Sequence, residues 1–191
     1  MRFSRRALGL AWVGALLALS GCRRHAHDPE GAWSKLQAAV TKGDGQALFE
    51  ALDQRTRWAW MTVQKSHREA YDIVLSTYPQ GDLRTRAQQR FERAAELGSG
   101  RDLFAEEAAP ALIETLKPLV QATPTWTKAA DGLGADAQLG GKVLSFRRGE
   151  DGTWGYVGAW ADAEEREKRA LGDVDAVRAN AADFERAAGR R

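Results

Sequence analysis

The spacing of apolar residues changes twice along this chain, and that change limits the folds it can reach. Trp33, Leu36 and Val40 recur at i, i+3 and i+7, the period of one helix face. Gly43-Asp44-Gly45 closes that segment, and Leu48, Phe49 and Leu52 make a short second helix. Over 56–77, Trp60, Val63, His67, Ala70 and Val74 trace one face, widened by Met61, Tyr71 and Leu75. Tyr78-Pro79-Gln80-Gly81-Asp82 is a turn by composition. Leu83, Ala87, Phe91 and Ala94 form another stripe, stopped by Gly98-Ser99-Gly100. Residues 102–121 read as helix interrupted at Pro110 and Pro118, which cannot donate a backbone hydrogen bond.

From Thr123 the period falls to two. The segment 123–129 (TPTWTKA) is rich in β-branched residues, and Leu144 and Phe146 share one face of a second strand. Gly149-Glu150-Asp151-Gly152 is a hairpin loop by composition, after which Trp154, Tyr156, Gly158 and Trp160 share one strand face. The helical period then returns. Asp162 is placed to cap it, and Glu164/Lys168 and Glu165/Arg169 are i,i+4 pairs of the favourable orientation. Leu171, Val174, Val177, Ala181, Phe184 and Ala188 supply a heptad-like stripe. The pattern predicts an α+β protein: a helical N-terminal half, a small antiparallel sheet of about three strands, and a long C-terminal helix.

The first residues carry a different message. Arg2, Arg5 and Arg6 precede an uncharged apolar run from Ala7 to Leu19. Thirteen residues fall short of the roughly 20 that a spanning helix needs. A basic start, a short apolar stretch and then small residues describe an export signal. Leu19-Ser20-Gly21-Cys22 follows, holding the one cysteine of the chain, and closely resembles the lipobox of bacterial lipoproteins. The resemblance implies cleavage before Cys22, a thioether-linked diacylglycerol on its sulfur and acylation of the new amino terminus. A plain secretory signal with an incidental cysteine is the alternative. Arg23, standing where an inner-membrane retention signal has Asp, favours the outer membrane, facing the periplasm. Ser4-Arg5-Arg6-Ala7-Leu8 also resembles a twin-arginine signal, so the export route stays open.

This divides the chain into a removable signal (1–21), an acylated Cys22 with a polar tether (22–31), and one domain (32–191). Removing the signal takes three arginines from 28 Lys and Arg, leaving 25 against 26 Asp and Glu, a net of −1. A near-neutral body gives no reason to invoke nucleic acid, which calls for a concentrated basic face. The order of a leading amphipathic helix, the Lys42-Gly43-Asp44 break and a downstream sheet faintly resembles the cystatin-like fold of nuclear transport factor 2 relatives, some of them lipoproteins.

Chemistry-bearing motifs are sparse. His25-Ala26-His27-Asp28 offers two imidazoles and a carboxylate but lies in the tether without a second cluster, so no metal or cofactor is expected. His67 sits among apolar neighbours and reads as a packing residue, a hydrolase built on it being a remote third possibility. Glu106-Glu107 and Glu150-Asp151 are adjacent carboxylates that diverge on a helix or are solvated in a loop. No Gly-x-Ser-x-Gly elbow, phosphate loop or His-Glu-x-x-His pattern occurs. The aromatic residues remain: Trp58, Trp126, Trp154, Tyr156 and Trp160 are candidate ligand or partner contacts. Trp58 lies about 160° around the helix from Trp60 and so falls off the expected core face. The expected function is a non-catalytic binding or assembly factor held to the membrane by its lipid, with an envelope protein or glycan as partner. A glycan- or small-ligand-binding domain with a Trp-lined site is the alternative.

Overall fold

The computed structural model describes residues 26–189. Six helices come first: α1 (Pro29–Lys42), α2 (Gly45–Ala51), α3 (Gln54–Thr77), α4 (Asp82–Glu96), α5 (Gly100–Glu107) and α6 (Ala109–Leu116). Strands β1 (Thr125–Lys128), β2 (Gly134–Leu139), β3 (Lys142–Arg148) and β4 (Trp154–Tyr156) follow, and α7 (Trp160–Ala188) closes the chain. This is an α+β architecture with its helices and strands segregated along the sequence.

The helix boundaries have local causes. Asp28 caps α1 by accepting from the Gly31 N–H at 2.6 Å, and Pro29 occupies the first turn, where its missing donor costs nothing. The Asp44 carboxylate caps α2 through the Ala47 N–H at 2.9 Å, and Ser99 caps α5. Pro110 opens α6 rather than breaking it, so the interruption falls at Ala108, between α5 and α6. Asp162 lies inside the first turn of α7, ion-paired to Arg166 at 2.8 Å, instead of capping that helix.

The sheet has four strands, one more than expected, in the order β1-β2-β3-β4 with every neighbour antiparallel. The additional strand is β2, GADAQL, whose Gly, Ala and Asp have poor strand propensity. Its alternation is nevertheless strict, with Ala135, Ala137 and Leu139 buried. Gly140 and Gly141, both at positive φ (54° and 88°), make the two-residue turn that joins β2 to β3. The expected third strand is also shorter: β4 ends at Tyr156, and Trp160 starts α7.

One core joins the sheet to the helices. Leu36, Val40, Leu48, Leu52, Trp60, Leu103, Phe104, Leu116 and Val120 pack with Ala137, Leu139, Leu144, Phe146 and Tyr156 from the sheet face. Trp60, 1% exposed, meets Phe104 edge-on with ring centroids 5.5 Å apart. A second, smaller core lies where α3, α4 and α7 converge, built from Ala70, Val74, Tyr78, Phe91, Val174, Val177 and Ala181. The C-terminal helix therefore lays its stripe on α3, with Phe91 of α4 in the same core, although Leu171 and Ala188 face solvent. Met61 and Leu75, expected to widen the α3 face, and Leu83, expected to open the α4 stripe, are likewise exposed.

The described part of the expected tether is folded. Ala26 is buried, and its carbonyl accepts from the Trp154 N–H at 2.9 Å, adding an extended contact beside β4. Along the same outer edge, away from β3, β4 meets the α2–α3 link, where the Asp53 N–H donates to the Tyr156 carbonyl at 3.0 Å.

Candidate functional site

The aromatic residues singled out in the sequence do not converge on one place. Trp126 is half-buried and meets Phe146 edge-on at 5.5 Å, as part of the core margin. Tyr156 is 6% exposed and packs on Phe146, and burial pushes its phenol above the usual pKa. Trp160 lies under the Arg55 guanidinium, 4.2 Å from the ring centroid. Trp58 is 50% exposed, as its off-face position requires, and borders an open groove with Met61, Lys65, Ser99 and Arg101. Cys22 lies outside the described residues.

Trp154 stands apart because it walls a cleft. Between α1, α2, α3 and the start of β4 lies a cavity of about 470 Å³. Small residues line part of it, Ala38 and Ala39 from α1 and Ala47 from α2. Trp154, Thr153 and Ala26 form one side, and Lys35, Lys42, Glu50 and Arg57 supply charge. Lys35, Ala38 and Lys42 share a helix face by their i, i+3, i+7 spacing.

Arg57 has an unusual environment. Its side chain is 23% exposed, and its Nε is enclosed with no hydrogen-bond partner among the described residues. The terminal nitrogens reach Glu50 and Asp151 only at 3.8 Å each, beyond hydrogen-bond length. Glu50 is shared, since Arg101 approaches its other oxygen at 3.8 Å. Lys35 has no ion pair among the described residues; burial lowers its pKa, opposed by Glu50 and reinforced by Arg57. Asp44 also lines the cleft, but its carboxylate is engaged as the α2 cap.

His67 is half-buried beside the Phe91 ring, with centroids 5.7 Å apart, and makes no hydrogen bond to a hydroxyl or carboxylate among the described residues. Within the potential metal cluster of the tether, Asp28 is committed to capping α1 and His25 lies outside the described residues. Among the described residues no three His, Cys, Asp or Glu side chains are grouped to hold a metal ion.

Sequence reasoning found Trp154 but missed Lys35, Lys42, Glu50 and Arg57. The available signal was the pair of lysines seven residues apart on α1 with alanines between them: charges flanking a face too small to fill its surroundings. No family model, curated protein or solved structure matches this chain.

Proposed function

We propose that this chain is a lipid-anchored lipoprotein of the bacterial envelope whose domain binds a small ligand, without catalysis, in the cleft walled by Trp154. The anchor rests on the lipobox-like Leu19-Ser20-Gly21-Cys22 behind a short apolar run. Among the described residues no helix is long and apolar enough to cross a membrane, so a membrane attachment through this domain would need another device. Two or three acyl chains supply it, because each buried methylene contributes about 0.8 kcal/mol.

The observation that carries the binding reading is the combination in one concavity of an indole, small alanine side chains and an under-bonded guanidinium. Ligand sites characteristically pair apolar walls with a few convergent polar groups. The assembly reading is less favoured, since α7 lays its apolar stripe against α3 rather than outward. Trp154 makes the test simple. Soluble cell-wall fragments and small envelope metabolites that enter the cleft should change the fluorescence of the parent protein and leave Trp154→Phe unchanged. Equal responses in both proteins would contradict the reading.

A further inference from the structure

Granted that the cleft binds a ligand, a reading on which the inference rests, its lining also narrows the chemistry of that ligand. It carries Lys35, Lys42 and Arg57 against Asp44 and Glu50, one positive charge in excess. Neither lysine has an ion pair among the described residues, whereas Asp44 is spent on the Ala47 N–H and Glu50 is divided between Arg57 and Arg101. The two terminal nitrogens of Arg57 lie in one plane and reach Glu50 and Asp151 only at 3.8 Å, beyond hydrogen-bond distance, while its Nε is enclosed. Buried polar groups are normally satisfied, and a guanidinium held this way is matched to a two-oxygen acceptor. The same lining holds Trp154 and the methyl groups of Ala38, Ala39 and Ala47, which suit an apolar body.

We infer that the cleft recognises an anionic phosphate carried on an apolar body, with Arg57 and Lys35 on the phosphate oxygens and Trp154 against the body. Burial that lowers the Lys35 pKa agrees with this, because a desolvated ammonium gains more from an incoming anion than a hydrated one. The position of the cleft admits two sources for such a group. Ala26 lines it and stands four residues from Cys22, a span of at most about 14 Å of extended chain. With Cys22 acylated, the cleft lies at headgroup level, where phospholipid phosphates and free phosphorylated metabolites are both within reach.

The test uses the full chain carrying Cys22→Ser, which lacks the sulfur that accepts a lipid. Phenyl phosphate, benzyl alcohol, and vesicles of phosphatidylcholine with or without phosphatidylglycerol serve as probes. Phenyl phosphate should shift the NMR signals of the Trp154 indole N–H and the Arg57 Nε–H. Arg57→Gln and Lys35→Gln should each weaken it by about tenfold or more, the value of one charge-assisted hydrogen bond. Lys168→Gln, on the exposed face of α7, should leave it unchanged. Melting temperatures establish that the variants fold, and Lys35→Gln decides the matter if Arg57→Gln does not. Flotation with phosphatidylglycerol vesicles that Arg57→Gln abolishes assigns the phosphate to a lipid headgroup. Phenyl phosphate binding without flotation assigns it to a soluble ligand. Benzyl alcohol binding as tightly as phenyl phosphate overturns phosphate recognition and leaves the ligand cleft standing. If no probe shifts Trp154 or floats the protein, both readings fall.

Discussion

Adding one methyl group at Gly155 should damage this fold about as much as a core truncation. A Cβ built there lies 2.4 Å from the backbone nitrogen of Asp53 and 2.4 Å from both the carbonyl carbon and oxygen of Leu52. Ordinary contact begins about 1 Å further out, and all three obstacles are backbone atoms that cannot rotate aside. Leu52 is itself packed in the core, so the link between α2 and α3 has nowhere to retreat. The substitution must push β4 away from that link and break the 3.0 Å hydrogen bond from Asp53 N–H to Tyr156 C=O. Overpacking costs about 1–3 kcal/mol. A buried donor left unsatisfied adds about 1–3 kcal/mol. The total is about 2–6 kcal/mol, or a melting temperature lowered by about 4–24 °C for a domain of this size. Gly172→Ala is the internal control: nothing lies within 4 Å of its new methyl, and it sits in the interior of α7. It should stabilise by about 0.5–1 kcal/mol through reduced backbone freedom in the unfolded chain. Urea unfolding of both variants beside the parent checks the pair. A Gly155→Ala protein as stable as the parent would refute the close approach that holds Trp154 beside the cleft.

Asp53 should be similarly exacting. Its carboxylate accepts from the N–H groups of Arg55 (3.0 Å) and Thr56 (3.5 Å) and from the buried Thr56 hydroxyl, so Asp53→Ala should cost about 2–3 kcal/mol and Asp53→Asn clearly less, as read by thermal unfolding. His67 gives a pH signature. Burial lowers its folded-state pKa below 6.5, opposed by Asp173 and Glu107 and aided by Arg90. The unfolded chain therefore binds the proton first, and stability should fall as pH drops below about 6.5, the slope ending below the folded-state value. In His67→Gln, urea midpoints between pH 7.5 and 5 should lose that part of the slope; an unchanged slope would place the titration elsewhere. Trp60→Ala, which empties a side chain packed on Phe104, should cost about 3–5 kcal/mol by calorimetry.

Much of the helical half was legible because its signals are local. The Gly43-Asp44-Gly45 break, the stripe through Trp60, Val63, Ala70 and Val74, and the displacement of Trp58 from it all follow from helix period and capping chemistry. The sheet was less legible. Strand β2 is held by pairing with β1 and β3, and its Ala135 and Ala137 carry little intrinsic preference of their own. Trp160 kept the two-residue phase of β4 yet begins a helix, since phase alone cannot register where pairing stops. Ala26 escaped notice because one residue docked on Trp154 has no periodicity to read. The cleft is the clearest case. Its charges come from α1, α2 and α3, and their meeting depends on how three helices pack.

The mass of the mature chain recovered from cell membranes tests the lipid anchor most directly. Intact-protein mass spectrometry should give a polypeptide that starts at Cys22 and carries the added mass of a diacylglyceryl group, with a further acyl chain on its amino terminus. A mature protein that retains residues 1–21, or whose Cys22 sulfur is unmodified, would contradict it.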